Sequence, residues 1–232
     1  MNSKRNKFIV FLACGILLMI LPFLLQPFGN SWVRIIDMVL LYIMLALGLN
    51  IVVGYAGLLD LGYVAFFAVG AYVFGLLASP HLLANFANLA ASFPDGVHYN
   101  IWLVLAAAAL IAGLAGMLLG APTLKLRGDY LAIVTLGFGE IVRIFLLNLD
   151  RPVNITNGPK GLMRIDDVNL FGVDFGRPLD LGFVTVESVS LYYYLFLLMV
   201  IMTIFICYRI ENSRIGRAWM AIREDEIAAK AM

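Results

Sequence analysis

Charge, histidine and cysteine are all scarce in this chain of 232 residues, and each scarcity closes off a class of function. Acidic and basic residues make up 13% of it, where a soluble globular domain carries about 25%. Sixteen Lys and Arg against fifteen Asp and Glu leave a net charge of +1. The basic residues sit in separated clusters instead of along one face, so nucleic acid is not expected as a partner. The two histidines, His81 and His98, share one stretch between apolar runs, out of reach of a plausible metal cluster. No Gly-x-Ser-x-Gly, His-Glu-x-x-His or Gly-x-x-x-x-Gly-Lys pattern occurs, so neither an enzyme active site nor a nucleotide site is expected. If ATP drives this protein, another subunit hydrolyses it. Cys14 and Cys207 both lie in apolar runs and read as buried small hydrophobes, because a disulfide needs Cα atoms within about 7 Å.

What is abundant is apolar side chain, 62% of the residues. Apolar segments fall at 8–25, 32–53, 62–78, 101–122, 130–149 and 191–208. Each is long enough to cross roughly 30 Å of hydrocarbon at about 1.5 Å per residue. Long runs instead of ten-residue alternations predict helices and not a barrel, since each segment in lipid must satisfy its own backbone. The expected fold is therefore all-α, a polytopic membrane protein with about six transmembrane helices. The first segment follows MNSKRNK and has no small-residue cleavage site after it, so it reads as a retained helix and not a signal peptide.

Six spans put both termini on one side. With that side inside, the inner segments hold Lys4, Arg5, Lys7, Lys125, Arg127, Arg209, Arg214, Arg217, Arg223 and Lys230. The outer ones hold Arg34, Arg151, Lys160, Arg164 and Arg177. The positive-inside rule then makes both termini cytoplasmic. The longer outer stretches are 79–100 and a periplasmic loop at 150–190. The second carries a turn-forming Asn157-Gly158-Pro159-Lys160-Gly161 and then DDVNLFGVDFGRPLDLG, whose alternation predicts a small hairpin.

Two constellations inside the apolar segments can carry chemistry. GYAGLLDLGYVAFFAVGAY places Gly54, Gly57, Gly62 and Gly70 around Asp60. Small residues allow close helix packing, and the same glycines suit a broken helix lining a pathway, where irregular backbone is tolerated. Glu140 and Arg143 stand one turn apart in the fifth segment, where each charge costs about 2.5–3.5 kcal/mol on insertion scales. They read either as a structural ion pair or, with Thr135, Gly137 and Gly139, as the border of a polar route.

The last twenty residues are amphipathic. Ile215, Ala218, Trp219, Ile222 and Ala229 share one helical stripe, with Arg214, Arg217, Glu224 and Asp225 turned away and Glu226 paired with Lys230. Too short of apolar residues to span, this segment at 209–232 is expected to offer a cytoplasmic surface to a soluble partner.

Four stretches together resemble the permease subunit of a branched-chain amino acid ABC importer, of the LivM type. They are GYAGLLDLGYVAFFAVGAY (54–72), LKLRGDYLAIVTLGFGEIVRI (124–144), NLDRPVNITNGPKGL (148–162) and SRIGRAWMAIREDEIAAKAM (213–232). The resemblance implies one transmembrane domain over 1–232 that pairs with a second permease subunit in the lipid bilayer. It also implies docking of two cytoplasmic ATPase subunits and receipt of substrate from a periplasmic binding protein. The chain itself would bind no cofactor, the ATP being used by the partner. The segment matching 214–229 would be the coupling helix, with DEIAAKAM echoing the Glu-Ala-Ala signature of such importers. Trp219 and Ile222 would be its apolar anchors, and Arg217, Arg223 and Glu224 its polar rim. Arg214, Gly216, Glu226, Ala228 and Ala229 belong to the same matched segment. Gly54, Gly57, Asp60, Gly62, Thr135, Glu140 and Arg143 are the expected translocation-pathway residues. The family pattern runs on past 232 with further helices, so the chain is expected to be a fragment, the N-terminal two-thirds of such a permease. The resemblance leads to import of leucine, isoleucine and valine. The alternatives are a related permease for urea, amides or sugars, a self-sufficient channel or secondary transporter, and a membrane scaffold.

Overall fold

The computed structural model describes residues 2–86, 100–123, 126, 128–170, 172–180 and 185–225. The helices are α1 (Asn2–Leu25), α2 (Asn30–Asn50), α3 (Tyr63–Leu77), α4 (His81–Asn85), α5 (Ile101–Thr123), α6 (Asp129–Asn148), α7 (Ser188–Glu211) and α8 (Arg214–Glu224). Four two-residue strands, β1 (Asn169–Leu170), β2 (Val173–Asp174), β3 (Leu179–Asp180) and β4 (Thr185–Val186), lie between α6 and α7. All six apolar segments of the sequence are helical. Among the described residues, four helices are long and apolar enough to cross a membrane: Asn30–Tyr55, Ile101–Thr123, Asp129–Asn148 and Ser188–Glu211. The segment expected as a third full span is shorter than read. Helix α3 has 15 residues and rises about 22 Å, less than the roughly 30 Å of a hydrocarbon core. Gly62 and the residues before it go into an irregular joint instead.

The chain forms two compact units. The first holds residues 1–48 and 173–213, with α1, most of α2, β2 to β4 and α7. Its core is Val33 and Leu40 of α2 with Tyr193, Leu197 and Val200 of α7, apolar positions recurring at helical spacing. The Tyr193 hydroxyl donates to the Leu18 carbonyl and that of Tyr194 to the Met19 carbonyl, each at 2.7 Å, which ties α1 to α7. Cys207 is buried, but Cys14 is exposed on α1, contrary to the expectation. It lies one turn before the Leu18 and Met19 carbonyls that α7 grips. Arg34 is in α2 and not in a loop. Strands β3 and β4 pair antiparallel, Leu179 opposite Val186 and Asp180 opposite Thr185. The hairpin expected within 166–182 is found there as the two-stranded pair β1–β2, and β3–β4 is a second pair after it.

The second unit holds residues 49–172 and 214–232. Within it α3 packs on α5 at small residues: a Cβ added at Gly70 would touch the Ala112 Cβ at 3.4 Å. That contact bears out the close-packing reading for this one glycine. After α6 the chain folds back on itself. Thr156 is buried and donates to the Leu146 carbonyl at 2.7 Å, Asn157 Nδ2 donates to the Gly161 carbonyl at 2.8 Å, and the Asp166 N–H donates to the Ala78 carbonyl at 2.7 Å. The 150–190 loop is therefore divided, its first part belonging to the second unit and its last part to the first.

Removing the two hydroxyls in Tyr193→Phe and Tyr194→Phe should lower unfolding stability in bilayer or bicelle by about 0.6 kcal/mol each, the usual scale for such bonds in membrane proteins. Thermal unfolding followed by tryptophan fluorescence checks this. Equal stability of the double variant would mean that α1 is held by packing alone.

Candidate functional site: a glycine joint under the amphipathic helix

The helical ladder of α2 stops at Asn50 and passes into a wider π turn, Ile51–Tyr55. Turns of this kind recur at functional sites because they add a residue without closing the ordinary i to i+4 bond. Gly57 then takes φ +70°, a conformation that terminates a helix and that side chains other than glycine rarely adopt. The chain runs irregularly to Gly62 before α3 begins. Its N–H groups are paired nearly one by one. Ala56 donates to the Ile51 carbonyl at 3.4 Å, Leu58 to that of Val52 at 3.2 Å, and Asp60 to that of Leu58 at 3.0 Å. The Leu61 N–H donates to the Thr135 hydroxyl at 3.0 Å, and the Gly62 N–H to Asp60 Oδ1 at 2.8 Å. Asp60, whose carboxylate called for a polar partner or solvent, thus finds its partner in the backbone two residues on.

Gly62 is needed for space, not for rotation. A Cβ there would collide with the backbone carbonyl of Thr135, which has no room to retreat inside a helix. Gly139, one turn further along α6, lies within 3.4 Å of the Gly62 Cα when given a Cβ. Asp60, Thr135 and Thr123 line a small void of about 20 Å³ between α3, α5 and α6, large enough for about one water.

Beyond Gly62 a larger cavity of about 340 Å³ opens between α3 and α6. Its walls are mostly apolar, among them Leu61, Val64, Leu136 and Val142, and Glu140 and Arg143 are on its lining. Arg143 Nη1 meets Glu140 Oε1 at 2.7 Å, with side chains 66% and 53% exposed. The pair is made within one helix and so does not tie two helices of this chain together. Glu140 is about 16 Å along α6 from Asp129, close to mid-span, where an ion pair is kept only by a partner, water or protein.

Helix α8 lies against the joint through a contact that the sequence did not indicate. Gly216 is buried, Trp219 is half-buried, and Arg223 Nη1 donates to the Gly54 carbonyl at 2.7 Å. Arg223 thus faces its own chain, whereas it was expected on a rim turned to a partner. The reason is steric and electrostatic: the missing side chain of Gly57 leaves the space in which the Arg223 stem packs, and the carbonyls at a helix end attract a cation. The apolar stripe is left outside, with Ile215 60% and Ile222 40% exposed. Arg214, Arg217, Ala218 and Glu224 are also exposed. Glu226, Ala228 and Ala229, with Lys230, lie outside the described residues, as do His98, Lys125 and Arg127.

The structure therefore joins the two expected sets of residues: Arg223 to Gly54 and Gly57, then Asp60 and Gly62, then Thr135, with Glu140 and Arg143 on the adjacent cavity. Asp37 was missed. It stands within the apolar helix α2, and its Oδ1 is buried without a hydrogen-bond partner among the described residues. A lone carboxylate in a span was the available signal. Among the described residues no group of three His, Cys, Asp or Glu is placed to hold a metal ion.

Residues 31–232 match the family described as the permease component of the branched-chain amino acid transport system. The chain belongs to that family. It is 41% identical over 241 residues, 99% of its own length, to the high-affinity branched-chain amino acid transport system permease protein LivM of Escherichia coli strain K12. It is 43% identical over 86% of its length to the protein of the same name from Salmonella typhimurium. A probable LivM permease of Methanocaldococcus jannaschii is 27% identical over 86% of the chain. No solved structure matches. The chain spans about half the length of the curated relatives it matches, 51% and 45% for the first two, less than the two-thirds that the motifs suggested. A LivM-type membership and several apolar helices make this permease a multi-pass protein of the bacterial inner membrane.

Gly62→Ala should destabilise the permease by about 1–3 kcal/mol, as overpacking against immovable backbone does. Thr135→Val, which removes the acceptor for the Leu61 N–H, should cost about 1–3 kcal/mol as well. Thermal unfolding in detergent measures both, and the Gly62 Cβ clash predicts that no wild-type-like stability survives the first.

Proposed function

We propose that this chain is the transmembrane permease subunit of an ATP-driven importer of leucine, isoleucine and valine, acting with a second permease subunit, two cytoplasmic ATPase subunits and a periplasmic substrate-binding protein. The observation that carries the reading is the family match over 31–232, because it spans both the glycine joint and α8. The permease performs no chemistry of its own. Its task is to offer a route and to change that route's accessibility when the ATPases bind and hydrolyse ATP, which this chain does not bind.

The cavity between α3 and α6 supports the choice of substrate. A branched-chain amino acid is a zwitterion with a small aliphatic side chain. Leu61, Val64, Leu136 and Val142 suit the aliphatic part, while Glu140 and Arg143 carry the two charges that an ammonium and a carboxylate would meet. Urea or a sugar would gain nothing from such walls. The exposed stripe of Ile215, Ala218 and Ile222 is the surface that a cytoplasmic ATPase would cover, an amphipathic helix laid in a groove. That reading requires the side bearing α8 to be cytoplasmic, as the positive-inside count expects.

Uptake of labelled leucine by cells or proteoliposomes holding the whole transporter tests the proposal. Glu140→Gln and Arg143→Gln should each cut it about tenfold or more with assembly intact, and unlabelled leucine, not urea or ribose, should compete. Full uptake in both variants would remove the pair from the route. Reporter fusions at Asn85 and Asp225 should give opposite sides, the second cytoplasmic; the same side for both would overturn the orientation.

A further inference from the structure

The contact between α8 and the glycine joint has a role of its own. We propose that Arg223 is a positioning residue that carries the displacement of α8 into the joint at 51–62 and so into the wall of the α3–α6 cavity. This rests on the reading of α8 as the helix that an ATPase moves.

Three observations converge on it. Gly54 lies in a π turn at the end of a helix, where carbonyls lose their intrahelical donors, and its carbonyl accepts from Arg223 Nη1 at 2.7 Å. A Cβ at Gly57 would stand 2.6 Å from Arg223 Cγ and 3.3 Å from its Cβ, so the Arg stem is packed directly on bare backbone. From there the irregular chain is short and most of its N–H groups are engaged. Asp60 holds the Gly62 N–H, Leu61 holds the Thr135 hydroxyl, and Gly62 abuts the Thr135 carbonyl, one to two turns from Glu140 and Arg143 on α6. Arg223 and Gly57 are at the surface, so displacement passes along the run through these hydrogen bonds and through the Gly62–Thr135 contact, not through a buried core. The joint is also the part of the route least bound by regular helix bonds, hence the part where a small push changes geometry most. A displacement at one site matters at the other only if the connecting element has two arrangements, and a helix that changes from π turn to coil over six residues is suited to have them.

The test uses the complete transporter, with Arg223→Met, which keeps the stem length and loses the guanidinium. Per assembled complex, ATP hydrolysis should persist while leucine moved per ATP falls about tenfold, within the usual range of coupling between sites. A merely structural role would lower the amount of complex and leave that ratio alone. In the full-length permease without its ATPases, backbone hydrogen exchange in the peptide 51–62 should quicken about fivefold, as loss of one hydrogen bond implies, with α5 unchanged. An unaltered ratio overturns the proposal. So does a loss of ATPase binding in proportion to uptake, since that would place Arg223 on the partner-facing surface. If the wild-type complex moves no leucine, the importer reading fails by itself and exchange decides alone: faster exchange confined to 51–62 upholds the tie, and unchanged exchange overturns it.

Discussion

The Leu61 N–H reaching the Thr135 hydroxyl is the contact on which the second unit turns. In lipid a backbone group without a partner costs several kcal/mol, and α2 gives up its ladder while the chain is still among apolar residues. The N–H groups released over the next twelve residues have to find partners inside the segment or beyond it. Thr135 supplies one, Asp60 another, and the side chain of Arg223 does the same for a freed carbonyl. Glycine is required at two of these positions for separate reasons. Gly57 needs its positive φ, and Gly62 needs the absence of a Cβ against α6.

This debt of hydrogen bonds explains the otherwise odd mixture of residues in the fold. A threonine buried in the first turns of α6, an aspartate inside an apolar stretch and an arginine on a surface helix serve one irregular segment. It also explains why α3 is short. Residues that would complete a span are spent in the joint, and a helix of 15 residues follows. The cavity between α3 and α6 begins at the close approach of Gly62 and Gly139, with the Glu140–Arg143 pair on its lining.

The first unit follows a simpler rule. Val33 and Leu40 recur at helical spacing against Tyr193, Leu197 and Val200, and the tyrosine hydroxyls fasten α1 through backbone carbonyls. Most of the remaining apolar side chains are exposed in the chain by itself. Lipid or other subunits are the natural cover for such faces, since hydrocarbon and Leu are equally apolar and packing there depends on shape.

Residue by residue, the apolar runs, the helical class, the glycine break and the charged pair in α6 were all legible in the sequence, because each depends on composition or on spacing within one segment. The amphipathic stripe of α8 was legible too, but which face turns inward was not. Periodicity places Ile215, Ala218 and Ile222 together and says nothing of what they meet; only tertiary structure set Arg223 on Gly54 and left that stripe outside. The same holds for Thr135 under Leu61, 74 positions apart, and for the β3–β4 register, which pairs Leu179 with Val186 and Asp180 with Thr185. A sequence determines such partners only through the whole packed fold, since the energy that selects them is the cost of leaving a distant backbone group unpaired.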